Sequence, residues 1–335
     1  MHIIFLTECS NAIGLGHFKR CLTLGEEFLT RRDITIEFIT SEDNEEAQEI
    51  AKFSGVPCTY FNESTENHIV NPDSLTVFIV DVKTNLFDSL IEKISNLGFK
   101  IFGIDDLSHR NEFFQANFSP PAAIPISDSY QQNSRNFIGW EWVPVLTNYK
   151  EQQFENYVTK DIFLIFGGSD ADNLSIPSCK FFCSIFGDYE IHLVCGPLMD
   201  KNSLSEVQKI KGKFSNLTLY LSPAVIQECF RKNALYVTTF GHAYYEMLAF
   251  GLSPTLVYRS PAEIAGIMSI LSQLGNPQLI TKDYLDLLNV NQESRKIWDL
   301  KFQNQNNNEE TIQHISSMLI LGSKNIVNEI LNLTS

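Results

Sequence analysis

Short apolar runs, bounded by polar residues and glycine, alternate along this chain with segments whose apolar positions recur at helical spacing. Residues 3–6, 34–39, 76–80 and 100–104 read as buried strands, the last two ending on Asp81 and on Asp105-Asp106. From about His17 onward, Cys21, Leu22, Leu24, Phe28 and Leu29 fall on one helical face, and helical patterns return over 42–53 and 87–97. Strands alternating with helices of this length predict a parallel sheet covered on both faces.

The rhythm breaks over 115–149, which holds Pro120-Pro121, Pro125, the polar run Gln131-Gln132-Asn133-Ser134 and the cluster Trp140-Glu141-Trp142. A domain junction is expected inside or just after it, near 150–157. The alternation then restarts with a strand at 162–166, the turn Gly167-Gly168-Ser169-Asp170, a helix over 175–186 and a strand at 191–195. A strand at 235–238 leads through Phe240-Gly241-His242 into a helix that reaches Phe250, with Gly251 as its C-cap. A strand follows at 255–258, and Pro261 suits the first position of another helix. The polar stretch 303–310 reads as an exposed loop, and 312–333 resumes a helical pattern. The expected organisation is therefore α/β throughout, with two domains, 1–150 and 151–335, each opening with strand, glycine loop and helix. The second would carry the extra C-terminal helix. No internal repeat is visible.

Length and charge narrow the function. At 335 residues the chain fits about two domains of roughly 150 residues, and 44% apolar with 12% aromatic residues can fill two cores. No apolar run approaches the roughly 18 residues of a membrane-spanning helix, and the N-terminus lacks the basic and apolar regions of a secretory leader. A net charge of −15 argues against a broad basic surface for nucleic acid or anionic lipid. An anionic ligand would instead have to be held by helix N-termini, backbone amides and a few placed cations. The seven cysteines, odd in number and without a CxxC pair, argue against a disulfide framework and a zinc ribbon. A reduced, cytoplasmic protein is expected. Cys179 and Cys183, one helical turn apart, read as core positions before they read as a pair of metal ligands.

Three segments could carry chemistry. Gly14-Leu15-Gly16-His17 leaves a strand and opens a helix, where glycines let the backbone approach a ligand and unpaired amides face an anion. Lys19 stands where a dinucleotide fingerprint would place its third glycine, and the loop is not a Walker A motif. His17 is the informative residue. The positive helix end favours a neutral imidazole able to act as general base, with simple helix capping as the bland alternative. The second segment, Gly167, Gly168, Ser169 and Asp170, is either a phosphate or sugar contact or an ordinary capped turn. In the third, Gly241 and His242 open a helix at a strand end, and Glu246 lies one turn further in. There its carboxylate could accept ribose hydroxyls or merely face solvent. Asp81, Asp105 and Asp106 end strands and so either point toward a binding crevice or form turns. Serine-hydrolase and zincin patterns are missing, and no metal or other cofactor is expected.

Taken together, Ile13-Gly14-Leu15-Gly16-His17-Phe18-Lys19-Arg20, Gly167-Gly168-Ser169-Asp170 and the segment from Gly241 to Gly251 resemble the PseG/SpsG-type nucleotide-sugar hydrolases of bacterial pseudaminic acid and related surface-sugar synthesis. The resemblance covers most of the chain, from Met1 to about Leu279. It implies a GT-B architecture, two Rossmann-like domains facing an interdomain cleft, with UDP held mainly by the second. It implies metal-independent hydrolysis of a UDP-linked 2,4-diacetamido-trideoxy sugar, with His17 taking a proton from the attacking water. Gly14 and Gly16 would lie near the diphosphate, Gly167 and Gly168 on its counterpart, and Glu246 at the ribose; the residues themselves make Gly241 and His242 an anion site, with His242 in a phosphate-side or packing role or as a second catalytic group. Asp81, Asp105, Ser169 and Asp170 are substrate-side candidates. Leu6, Glu8, Val82, Leu146, Ala262 and Glu263 replace the family's usual residues, which implies a different sugar or acceptor. The alternatives are a GT-B glycosyltransferase using the same base on a hydroxyl, and an inactive nucleotide-sugar binding protein.

Overall fold

The computed structural model describes residues 1–10, 13–69, 75–106, 108–121, 135–145, 160–223, 226–231, 233–258, 270–274, 279–281, 295–299 and 308–334. The chain divides into two compact units, one of residues 1–146 with 318–335, the other of residues 147–317.

The first unit is built on strands β1 (His2–Thr7), β2 (Thr35–Thr40), β3 (Cys58–Tyr60), β4 (Thr76–Asp81), β5 (Lys100–Ile104), β6 (Ala116–Ser119) and β7 (Asn136–Ile138). They form one seven-stranded sheet in the order β3-β2-β1-β4-β5-β6-β7, parallel at every pairing. Its helices are α1 (Gly16–Leu29), α2 (Glu45–Phe53), α3 (Glu63–Ile69) and α4 (Asp88–Asn96). Strand order reverses between β1 and β4, whose ends are in register, Thr7 opposite Asp81. In open parallel sheets the binding crevice forms at the carboxyl ends of the strands flanking such a reversal. The core is aromatic beneath α1, where Phe5 stacks on Phe38 at 4.6 Å and Phe18 meets Phe38 edge-on. Each buried phenylalanine contributes about 1.5–3 kcal/mol relative to exposure.

The second unit repeats the scheme with β8 (Asp161–Ile165), β9 (Glu190–Cys195), β10 (Leu217–Leu221), β11 (Leu235–Thr238), β12 (Thr255–Tyr258) and β13 (Leu279–Thr281). The sheet order is β10-β9-β8-β11-β12-β13, all parallel, with the reversal between β8 and β11. Helices α5 (Ser175–Ile185), α6 (Lys201–Lys211) and α7 (His242–Ala249) belong to it. Trp298 closes the core against Phe181 and Phe182. Cys179 and Cys183 are both buried in that core, which is the apolar reading of the pair. Gly251 ends α7 as expected, with the Leu252 amide donating back to the Met247 carbonyl.

Three expectations change. The stretch 115–149 is not simply a break, because β6 and β7 within it extend the first sheet. These strands are too short to show a period in the sequence. β3 and α3 also went unread, for the same reason and because α3 is almost wholly polar. The helical pattern of 312–333 splits into α8 (Glu309–Leu319) and α9 (Gly322–Thr334). The last of these belongs to the first unit, not the second. Asn328 accepts from Arg31, Leu333 from Lys100, and Asn325 donates to the Glu141 carbonyl. The expected junction at 150–157 and the helix start at Pro261 lie outside the described residues. Among the described residues, no helix is long and apolar enough to cross a membrane.

Candidate active site

The loop after β1 turns back on itself before α1 begins. Gly14 donates to the Ser10 carbonyl at 2.7 Å and holds φ at +82°, in the region where a side chain is strained. The first helical bond of α1 runs from the Lys19 amide to the Leu15 carbonyl, so the amides of Gly16, His17 and Phe18 precede it. No side chain caps this end, and its first turn carries no acidic residue. The partial positive charge of the helix is therefore left for a ligand.

His17 and Arg20, one turn apart, lie on the same side of α1, facing the end of β4. His17 Nδ1 lies 2.6 Å from Asp81 Oδ1, and Arg20 Nη2 donates to that same oxygen at 2.6 Å. Arg20 Nε donates to Asp81 Oδ2, and Nη1 reaches Asp105 Oδ2 at 3.1 Å. The Cys21 thiol also points at Asp81 Oδ2, at 3.6 Å. Asp81 is fully buried. Burial alone would push its carboxyl up, yet the charges of Arg20 and His17, and the hydrogen bonds from both, hold it well below the usual carboxylate range. An ionised carboxylate only accepts, so Nδ1 of His17 carries the shared proton. Nε2 is the ring nitrogen left over, and among the described residues it makes no hydrogen bond. The carboxylate thus sets the orientation of the ring.

The segment beyond β4 is held from below. Glu8, buried at the end of β1, accepts from the Lys83 amide at 2.6 Å, from the Thr84 amide at 2.9 Å and from the Thr84 hydroxyl. Arg110, also buried, pairs with Asp106 and Asp88 and donates to the Val82 and Thr84 carbonyls. Sequence reasoning missed Arg110 altogether. The spacing of Asp106 and Arg110 is the one local trace of it, since its other partners lie beyond β4. Asp106 thereby serves the fold and not a crevice. Asp105 sits at φ +54° with its side chain 37% exposed, beside Arg20.

In the second unit the two glycine segments behave differently. Gly168 packs so closely on Gly196 that a β-carbon there would lie 2.2 Å from the Gly168 carbonyl oxygen. Both oxygens of Asp170 are spent on the backbone, accepting from Leu174 at 2.8 Å and Ser175 at 3.0 Å at the start of α5. Burial pushes its carboxyl up, against the pull of those bonds. Asp170 therefore holds its own loop against the start of α5, and Ser169 beside it stays half-buried. At the other segment, Gly241 opens α7 without a side-chain cap, and Thr238 just before it donates to the Ile165 carbonyl, tying the ends of β11 and β8 together. His242 Nε2 lies 3.7 Å from Glu246 Oε1, and Glu246 is 8% exposed. A solvated helix-face role for Glu246 is thus ruled out.

Burial pushes the Cys9 and Cys183 thiols up to about 12 and those of Cys58 and Cys195 up to about 11. These thiols stay protonated and serve packing. Among the described residues no three His, Cys, Asp or Glu side chains are grouped to hold a metal ion.

Two parallel sheets, each of Rossmann strand order, define the α/β fold of the GT-B glycosyltransferases. CalG4, the calicheamicin glycosyltransferase, is similar to this chain at a TM-score of 0.62 and 13% identity, covering 99% of this chain and 98% of that one. The UDP-GlcNAc 2-epimerase of Neisseria meningitidis, bound to UDP-GlcNAc, matches at 0.63 and 9% identity over 99% of this chain and all of that one. In sequence, an uncharacterized protein of Methanocaldococcus jannaschii, MJ1062, is 23% identical over 285 residues, 78% of this chain. The chain spans 56% of the length of that relative. No family model matches.

Proposed function

We propose that the chain is a nucleotide-sugar hydrolase that releases UDP from a UDP-linked amino-deoxy sugar of the bacterial surface-sugar type. The observation that carries this reading is the His17–Asp81 pair at the carboxyl end of β4, with a bare Nε2 beside the uncapped start of α1. Nε2 takes a proton from a water as its oxygen bonds to the anomeric carbon. The bond from that carbon to the phosphate oxygen breaks, and UDP leaves with the electron pair. Asp81 keeps Nδ1 protonated and stabilises the imidazolium that forms.

Gly14 and Gly16, with the first-turn amides of α1, would face the diphosphate, where helix-end amides disperse charge on the leaving group. Gly167, Gly168, Gly241 and His242 would serve the nucleotide side, and the buried Glu246 would accept the ribose hydroxyls. Asp105 and Ser169 remain substrate-side positions, whereas Asp170 contributes by holding its loop. The resemblance to PseG/SpsG-type enzymes and the UDP-GlcNAc bound by the Neisseria epimerase both support a UDP-sugar. A cytoplasmic location accords with that substrate.

The likeness to CalG4 supports a second reading, glycosyl transfer, in which the same base deprotonates an acceptor hydroxyl. Incubation with a panel of UDP-, CMP- and GDP-sugars, followed by mass spectrometry, separates the two. Free sugar with UDP and no acceptor present is the expected result. Turnover that begins only on adding an acceptor would establish transfer, and UDP binding with no turnover of any sugar would remove the enzymatic reading.

A further inference from the structure

We infer that Arg20 is a positioning residue, whose guanidinium, fastened to both oxygens of Asp81 and to Asp105, fixes which nitrogen of His17 carries the proton and keeps the ring available as a base. This rests on the reading of His17 as the base.

An arginine in a nucleotide-binding protein invites a role as a direct phosphate ligand. The geometry points elsewhere. Arg20 Nε and Nη2 grip Asp81 side-on, Nη1 is taken by Asp105 at 3.1 Å, and the side chain is only 14% exposed. Three of its five N–H donors are committed to carboxylates, and the burial of the side chain limits what the other two can offer a diphosphate. What the grip does is local. Asp81 Oδ1 receives Arg20 Nη2 and the His17 proton from two directions, so the carboxylate cannot turn without breaking one of them. Arg20 Nη2 also stands 3.1 Å from His17 Nδ1, a donor facing a donor. That contact is tolerable only while Asp81 lies between them as the shared acceptor.

The charges around the ring come from several elements. Helix α1 supplies Arg20, with Lys19 and the Cys21 thiol beside it. The end of β4 supplies Asp81, and the residue after β5 supplies Asp105. The end of β1 supplies Glu8, whose oxygens turn to Lys83 and Thr84. Without Arg20, two carboxylates would stand uncompensated near the imidazole, and the ring would hold a second proton to higher pH. A base already protonated cannot accept from water.

The test is long-range proton–nitrogen NMR of the histidine rings in the full-length protein, with H17N used to assign the His17 signals. Wild type should show one tautomer, protonated on Nδ1. In R20Q the midpoint of the His17 titration should rise by on the order of one pH unit relative to wild type. R20K keeps the charge and loses the fork, so its midpoint should move less than half as far while both tautomers appear. Where UDP release is detected, the acid limb of kcat/KM should move with the R20Q midpoint, with kcat falling more than KM rises.

A folded R20Q protein whose His17 midpoint matches wild type would overturn the inference. If circular dichroism shows R20Q unfolded, R20K decides, and a single Nδ1-protonated tautomer there would overturn it equally. Absence of UDP release with the NMR differences intact would sink the hydrolase reading and leave the role of Arg20 standing.

Discussion

Both units open with a strand, a glycine-containing loop and a helix, yet the charged residues of those two openings are used in opposite ways. After β8, Asp170 turns back onto the amides of Leu174 and Ser175 and holds its own loop. After β1, α1 has no side-chain cap, and its charged residues reach out to Asp81 and Asp105, which arrive from distant strands. A local partner completes the fold. Partners brought in by the sheet, at the cost of burying several charges together, hold an imidazole in place. A buried ion pair contributes little net stability compared with apolar residues of similar volume, which accords with the chemical role proposed for the β1–α1 cluster.

The contrast can be broken by substitution. H17N should lower UDP release by roughly 10²–10⁴-fold, the scale of a positioned base, while UDP affinity by calorimetry stays near wild type. Unchanged turnover would remove His17 from the mechanism. D81N leaves the largely buried Arg20 with Asp105 as its remaining carboxylate partner and should cost about 3–5 kcal/mol in chemical denaturation.

It should also change the acid side of the stability profile. Asp81 is held below its ordinary range in the folded state, so its contribution is complete above about pH 4 and fades as pH falls toward the folded value. A plot of melting temperature against pH should therefore be flatter below about pH 4 in D81N than in wild type.

On the other side of the comparison, E246A should weaken UDP binding by about 1.5–3 kcal/mol, the range for hydrogen bonds to a charged group. Affinity equal to wild type would refute the ribose contact. D170A should cost about 1 kcal/mol, the scale of a hydrogen bond lost to backbone amides, and should shift the melting temperature more than the UDP affinity. If D170A instead abolished UDP binding at unchanged stability, the two loops would not differ in the way described.

The sequence made the parallel sheets legible because their strands are unbroken apolar runs and the helices between them keep an apolar face. Gly14, Gly16 and His17 were legible for a related reason, since a glycine pair before a helix is a local signal. Asp81 could be noticed only as a strand end. Nothing local connects it to His17, because the register of β1 with β4 is what brings them together. Glu8 and Arg110 were hidden more deeply, since Glu8 acts on backbone groups of the segment after β4, which leave no trace in residue identity, and Arg110 shows only its spacing to Asp106. Asp170 shows the converse: its sequence allowed a ligand contact, and only the direction of the side chain revealed that it holds its own loop.

The return of α9 to the first unit has a consequence for biogenesis. Asn328 meets Arg31 across a separation of 297 residues, so the half that carries His17 cannot finish folding when its own sheet emerges from the ribosome. At about 5–20 residues per second it must wait on the order of ten to thirty seconds while the whole of the other unit is translated. During that interval the flank of α1 later covered by α9 stays open to chaperones and proteases, a vulnerable window that a linear arrangement of the two halves would have avoided.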